Sequence, residues 1–366
     1  METSMHNYSI RLPGWSIGDQ VLSNVPDYVL PYGRRAAFIG GHHALAALSS
    51  RLRTSCADRL DCSEDLWYGG EASEENVAML AQKPEVIQSD VLFAIGGGKA
   101  LDTVKTLGYR LGKPVFTFPT IASTCAACTA VSILYHPDGS FSGPCFLPGP
   151  PVHAFLDTGV LAAAPVRYLW AGLGDTYAKY FESEMSSRTD ELTHYHALGV
   201  NVSRMCLEPL LRYGARAIED LKAGRVSAEV EQVILSIIVN TAIASILLTA
   251  DRIIDYNTGL AHAVFYALTS FPEFHMERDH LHGEVVGFAV LILLLVDHQD
   301  EMFQTMLDFN RSVRLPTRLS QIGIRPEDLP RILPRVLQMH DIDHNPYTIT
   351  ESMLADAFCR LENTEK

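Results

Sequence analysis

Basic charge is scarce in this chain. Its 29 lysines and arginines stand against 43 acidic residues, a formal net charge of −14. No basic cluster tracks along any segment, so nucleic acid is not an expected partner. Cysteine is sparse and scattered: seven residues, an odd number, in a chain of 366. A disulfide framework is therefore not expected. The start, METSMHNYSI, has no charged-then-apolar signal pattern, and a cytoplasmic location is the default expectation. Long apolar runs are missing too. The most apolar stretch, Val233 to Ala250, is interrupted by Ser236, Asn240, Thr241, Ser245 and Thr249, and Val285 to Val296 is shorter than a bilayer requires. Both read as buried core helices, and no membrane is expected as a partner.

Hydrophobic residues make up 47% of the chain and charged residues 20%, which fits a globular protein with large cores and room for two domains. The first part alternates strand and helix. Arg35 to Gly40 reads as a strand before a helical run from His42 to Arg51. Asp65 to Tyr68 reads as a short strand, and Ser73 caps a helix. Val91 to Ile95 and Val115 to Phe118 are further strands, Ala130 to Ser140 holds a hairpin turn, and Val152 to Leu156 closes the series. Alternation of this kind implies a parallel sheet covered by helices. From Thr158 onward the pattern is helical: Val160 to Ala164, Arg167 to Ser187, His194 to Ala217, Ser227 to Thr249, Thr258 to Ser270 and Gly283 to Asp297. The boundary is placed near residue 160, with a cleft expected between the two parts.

The most informative segment is DVLFAIGGGKALDTVKTLGYRLG, Asp90 to Gly112. A buried strand runs into Gly96, Gly97 and Gly98, and helical spacing resumes at Lys99. Bare glycines opening a helix expose N–H groups at the positive end of its dipole, which suits a phosphate. Lys99 adds a full charge. The segment is not the GxGxxG fingerprint, and a plain strand-to-helix turn is the competing reading.

Three residues of the helical part have ligand chemistry: Asp175 in AGLGDTYAKYFE, His262 in TGLAHAVFYAL and His282 in HLHGEVVGFAVLILL. Two imidazoles and a carboxylate suit Zn²⁺ or Fe²⁺. Against this, a histidine on an apolar helix face is commonly a core residue with satisfied hydrogen bonds, and the spacing matches no local metal motif. Cys125 and Cys128 have CxxC spacing without a thioredoxin context. Asp341, Asp343 and His344 read as a solvated loop.

The motifs GGGKALDTVK, FPTIASTCAACTAVSILY, AGLGDTYAKYFE, GLAHAVFYAL and HGEVVGFAVL together resemble the glycerol dehydrogenase-like branch of the iron-containing (metal-dependent) alcohol dehydrogenases. The similarity runs from about Tyr32 to Val296. It implies an α/β, Rossmann-like N-terminal nucleotide domain over residues 1–159 and an all-α C-terminal metal-binding domain over 160–366, the fold shared with dehydroquinate synthase. It also implies NAD(P)(H) and one divalent metal such as Zn or Fe, with Asp175, His262 and His282 as the ligands and the catalytic centre. Gly97, Gly98 and Lys99 match the pyrophosphate loop, and Asp102 the acidic residue that follows. Thr120 and Ser123 match the segment beside the nicotinamide. Thr129, Val131 and Tyr135 match the lining of the cofactor cleft.

Two positions depart from the glycerol dehydrogenase pattern. Cys125 stands where those enzymes have an aspartate that contacts the polyol, and the TCAA run at Thr124 to Ala127 is nearest the hydroxycarboxylate dehydrogenase members, which reduce 2-oxo acids. Gly41 stands where NAD-using members have an aspartate on the adenine ribose. Its loss leaves room for a 2′-phosphate, with His42, His43, Arg34 or Arg35 as holders. The expected function is hydride transfer between NAD(P)(H) and a small secondary alcohol, a 2-hydroxy acid, with its 2-oxo acid. A glycerol or polyol dehydrogenase is the alternative. A dehydroquinate synthase-like lyase is a different class, and the shortage of lysines near the ligands, Lys179 being the nearest, argues against it. A non-catalytic binding protein is a third class, which the intact ligand set disfavours. His275 and His280 are candidate proton relays near the cleft mouth. A homo-oligomer acting on a small molecule is expected.

Overall fold

Apolar runs bounded by glycine, proline and small polar residues become strands in the first part of the chain. The computed structural model describes residues 8–276 and 279–364. The strands are β1 (Gly14–Gly18), β2 (Arg35–Gly40), β3 (Asp61–Trp67), β4 (Val91–Gly96), β5 (Val115–Pro119), β6 (Val131–Tyr135), β7 (Phe141–Phe146) and β8 (His153–Asp157). Six of them form one sheet in the order β1-β8-β5-β4-β2-β3, and every neighbouring pair is parallel. The central strands are buried almost throughout, as continuous apolar runs require in a parallel sheet.

Alternation along these strands sends side chains to opposite faces. Phe38, Phe93, Phe116, Phe118 and Phe155 pack together on one face. Ala37, Ile39, Leu92 and Ala94 face the other, where Leu101, Val104 and Leu107 of the helix Gly98–Leu111 cover them. That second cluster continues without a break into the helical part. β6 and β7 form the expected hairpin as a separate antiparallel pair.

The edges of the sheet were harder to read. β1, GWSIG, is a short edge strand with two glycines that gives little strand signal. β3 begins four residues earlier than Asp65, and its polar DCSED run hides it because it lies at the other edge, half in solvent. Ser73 does cap its helix, accepting from the Asn76 N–H at 3.3 Å.

The second part is helical. The run His194 to Ala217 is broken by a tight turn at Arg204–Cys206, ahead of Pro209. Ser227 to Thr249 contains a π-helical turn at Ser236–Asn240. The segment Ala228–Leu248 is long and apolar enough to cross a membrane by length and composition, and 72% of its apolar window is buried inside the fold.

One crossing positions the site. The helices Val166–Ser187 and His282–Val296 meet at Gly174, Gly283 and Gly287. A Cβ at Gly174 would run into the Gly283 carbonyl oxygen, and one at Gly283 into the Ala171 carbonyl. The missing side chains let the two backbones touch, which brings Asp175 beside His282.

Candidate active site

In an open parallel sheet, ligands bind beyond the carboxyl ends of the strands, where connections leave in opposite directions. Here that switch lies between β2 and β4: β2 connects outward to β3, and β4 connects the other way to β5. Gly41 follows β2, and the glycine turn follows β4. Gly96 takes φ +150°, which favours glycine, and packs near Ala44 and the Gly41 amide. Gly97 caps the helix Gly98–Leu111 with no side chain in the way. A Cβ at Gly97 would lie 2.7 Å from Ile121 Cδ1, and one at Gly98 would lie 3.3 Å from Thr124 Oγ1. The crevice is thus open at a helix N-terminus, as a pyrophosphate requires.

A cleft of about 350 Å³ continues from this turn to the helical part. Gly98, Lys99, Asp102, Ser123, Cys125, Thr129, Val131 and Tyr135 line it from one side, and Asp175, His262 and His282 from the other. Gly41, Gly97 and Thr120 sit at the strand ends outside this lining; the Thr120 N–H donates to the Gly96 carbonyl at 3.1 Å. Lys99 does not present a bare charge over the glycines. Its ammonium lies 2.7 Å from Glu71 and 4.9 Å from the Tyr135 ring centre. Asp102 is buried and lies 2.8 Å from Lys105, while its other oxygen accepts from the Ile133 N–H at 3.1 Å. Burial pushes its carboxyl up despite Lys105. Lys105 also donates to Thr129 Oγ1 and the Val131 carbonyl. Asp102, Thr129 and Val131 therefore form one braced wall.

Arg34 and Arg35 cannot serve the crevice beside Gly41. They lie at the opposite end of β2, roughly 17 Å away at the usual strand rise, and Arg35 is held on Asp90 at 2.8 Å. His42 and His43 are at the right end; His42 stacks on Trp67.

The donor atoms of Asp175, His262 and His282 all lie within 4.8 Å of one another. Asp175 Oδ1 is 3.2 Å from His282 Nε2 and 3.6 Å from His262 Nε2. A tetrahedral site with Zn–N bonds of about 2.0–2.1 Å needs neighbouring donors about 3.3 Å apart. The donor chemistry and spacing fit a divalent cation.

Glu182, missed by sequence reading, supplies the layer behind. It is 1% exposed, and it accepts from His262 Nδ1 at 2.7 Å and from the His262 N–H at 2.9 Å. A carboxylate can only accept, so Nδ1 donates to Glu182 and Nε2 is the ring atom that faces Asp175. The signal was available: Asp175 and Glu182 are two helical turns apart on one face.

Burial alone would lower the His262 pKa, but the charge of Glu182 and the bonds to Asp175 and Glu182 raise it to about 10. Burial would raise Asp175, and the two histidines outweigh it and hold the carboxyl low. Burial, with Asp175 nearby, pushes the Cys125 thiol up to about 12.

The remaining candidates separate clearly. His280 lines the cleft with Nδ1 3.1 Å from Glu284, whereas His275 is exposed at φ +48°. Cys125 and Cys128 are free thiols. His344 lies between Asp190 and Asp255 rather than with Asp341 and Asp343.

Residues 15–156 match the family model described as iron-containing alcohol dehydrogenase. A glycerol dehydrogenase of Thermotoga maritima is 34% identical over 313 residues, covering 82% of this chain and 80% of that protein. The chain belongs to the iron-containing alcohol dehydrogenase family. It is thus an oxidoreductase acting on the CH–OH group of its donors, in the glycerol dehydrogenase-like branch that its motifs resemble. Hydroxycarboxylate dehydrogenase A of Escherichia coli is 28% identical over 334 residues, with 90% of each chain covered. The crystal structure of a probable glycerol dehydrogenase from Sinorhizobium meliloti superposes with a TM-score of 0.82 at 29% identity, covering 97% of this chain and 99% of that one. The Rossmann-like α/β part followed by a helical part is the architecture of this family.

Proposed function

We propose that this dehydrogenase interconverts a 2-hydroxy acid and its 2-oxo acid with NAD(P)(H). Asp175, His262 and His282 would hold one divalent cation, Zn²⁺ or Fe²⁺. The observation that carries the reading is the composition of the cleft: three convergent metal donors face a neutral Cys125, with the glycine turn at the far end. When bound, the cation supplies Lewis-acid polarisation of a substrate oxygen, and the nicotinamide gives or takes hydride.

The chain's own residues do the rest. Gly97 and Gly98 admit the pyrophosphate, with Lys99 and Asp102 behind them. Thr120 and Ser123 flank the nicotinamide end, and Thr129, Val131 and Tyr135 line the cofactor wall. Glu182 holds His262 by Nδ1 and so points Nε2 at the position the cation would take, where it would ligate after giving up its proton. Ile121, Val131, Ile133 and Tyr266 keep the cleft largely apolar and limit water. His280, in the cleft lining, is the candidate side-chain relay for the proton exchanged with solvent.

Cys125 sets the substrate class. Two like charges about 4 Å apart interact by roughly 4 kcal/mol at an effective dielectric of 20. A carboxylate at this position would repel a 2-oxo acid; a thiol does not. Gly41 likewise places no charge against a 2′-phosphate, so NADP(H) is admitted along with NAD(H). We further propose domains of residues 1–159 and 160–366, a cytoplasmic location and a homo-oligomer.

A second reading, a glycerol or polyol dehydrogenase, is favoured by the names of relatives from Thermotoga maritima and Escherichia coli at 34% and 32% identity. Absorbance at 340 nm decides between them. Higher kcat/KM for 2-oxo acid reduction than for glycerol oxidation, with the ratio reversed in Cys125→Asp, is the expected result. A ratio that Cys125→Asp leaves unchanged would refute it, and no net absorbance change with any substrate would point to a lyase.

A further inference from the structure

Lys179 stands one helical turn beyond Asp175, on the same face of the helix Val166–Ser187. It lines the cleft together with Cys125, His262 and His282, yet it is only 5% exposed. Its ammonium donates to two atoms of Asn257, the backbone carbonyl and Oδ1, the latter at 2.9 Å. Both acceptors are neutral. Lys99, the other lysine in the cleft lining, is neutralised 2.7 Å from Glu71, and Lys105 behind the wall lies 2.8 Å from Asp102. Among the described residues, no carboxylate lies within ion-pair distance of Lys179.

A buried charge without a counter-charge is costly, and folds retain one where a ligand completes it. An ammonium has three donors, and Asn257 occupies two. We infer that Lys179 is the anchor for a substrate carboxylate and so a specificity-determining residue of this site. The inference rests on the 2-oxo acid reading above and gives it a positive element. Cys125 removes repulsion, and Lys179 supplies attraction. The two depend on each other, because a carboxylate at position 125, in the same cleft lining, would compete with the substrate carboxylate for Lys179. A neutral polyol has no use for a buried cation there.

The test is made on the metal-loaded enzyme with reduced cofactor, using the parent, Lys179→Met, Lys179→Gln and Lys179→Arg. Lys179→Gln can still donate to Asn257 without a charge, so it serves if Lys179→Met does not fold. Two readouts are taken. One is the ratio of kcat/KM for 2-oxobutanoate to that for its neutral analogue 1-hydroxybutan-2-one. The other is the Kd of oxamate, a non-reacting carboxylate, read from cofactor fluorescence. Losing a hydrogen bond to a charged group should lower the ratio and weaken oxamate by about 10- to 100-fold in the uncharged variants. Lys179→Arg should recover most of both. A ratio and an oxamate Kd within threefold of the parent would overturn the assignment and leave Lys179 as a tether for Asn257, as would a parent that binds no oxamate. If the parent turns over only neutral substrates, yet binds oxamate in a Lys179-dependent way, the substrate reading fails while the carboxylate anchor stands.

Discussion

On the sheet side of the cleft, the surface around the glycine turn is backbone and small side chains, from Gly98 to Ser123, Thr124 and Ala126, with Gly97 just outside the lining. On the helical side it is Asp175, Lys179, His262 and His282, with Glu182 and Asn257 holding two of them from behind. The first wall works by leaving space at a helix N-terminus. The second works by fixing charged groups in a buried place. Space is lost when any side chain is added, whereas a braced donor set weakens by degrees as its supports are removed. The two walls should therefore fail in different ways.

The largest effect on cofactor binding is expected at the glycine wall. Gly98→Asp puts a carboxylate and a Cβ at the proposed pyrophosphate site. We expect NAD(P)H affinity to fall at least about 100-fold, a loss of about 2.7 kcal/mol, with bound metal retained. Fluorescence titration of the reduced cofactor, alongside metal analysis, checks both halves. Parent-like cofactor affinity would move the nucleotide site elsewhere.

At the helical wall, Glu182→Gln keeps an acceptor for His262 Nδ1 but removes the charge. Metal affinity should fall about 10- to 100-fold, as for other residues that support metal ligands, while cofactor affinity holds. Competition with a chelator of known affinity measures it, and unchanged metal affinity would deny Glu182 its supporting role.

A smaller effect belongs to Gly41, where the Tyr68 ring at 3.6 Å is the nearest neighbour of a built Cβ. There is room for a carboxylate that can bond a ribose and repel a 2′-phosphate. Gly41→Asp should shift the NADH-to-NADPH preference toward NADH by about tenfold, or about 1.4 kcal/mol. KM values for both cofactors test this, and an unmoved preference would place the adenine ribose away from β2.

The effect expected to touch activity least lies away from both walls and is on stability. His153, 6% exposed in β8, has its pKa lowered by burial from 6.5 to about 4, and its Nε2 lies 2.9 Å from Ser16 Oγ. The folded state binds this proton less readily than the unfolded chain, so the stabilising contribution is complete above pH 6.5. It is lost as pH falls from 6.5 toward 4, a change of about 2–3 kcal/mol. Denaturant melts across that window should be steeper in pH for the parent than for His153→Gln, with activity near pH 7 much less affected. Equal slopes would remove His153 from the account of acid sensitivity.

The same contrast explains what the sequence made legible. The glycine wall is written contiguously: strand, turn and helix follow one another from Val91 to Leu111, so local pattern was enough. The proposed metal donors lie on three helices far apart in the chain. Residue chemistry alone left His262 open between ligand and core histidine, and family resemblance was needed to join it to Asp175 and His282. The glycine crossing at Gly174 and Gly283 brings the donors together, and no periodicity predicts which helices touch. Glu182 escaped for a related reason: a buried carboxylate on an amphipathic helix looks like a polar-face residue until its partner is known. Arg34 and Arg35 are near Gly41 in sequence, but the extended strand β2 carries them to its other end. β1 and β3 were blurred because edge strands bury little.

The most direct measurement is the metal content of the purified parent and of His262→Ala, determined together with far-UV circular dichroism and turnover. We expect about one divalent cation per parent chain. In His262→Ala the cation should be absent, turnover should fall by about a thousandfold or more, and the helical spectrum should persist. A His262→Ala protein that keeps both its cation and its turnover would contradict the assignment of Asp175, His262 and His282 as the metal centre.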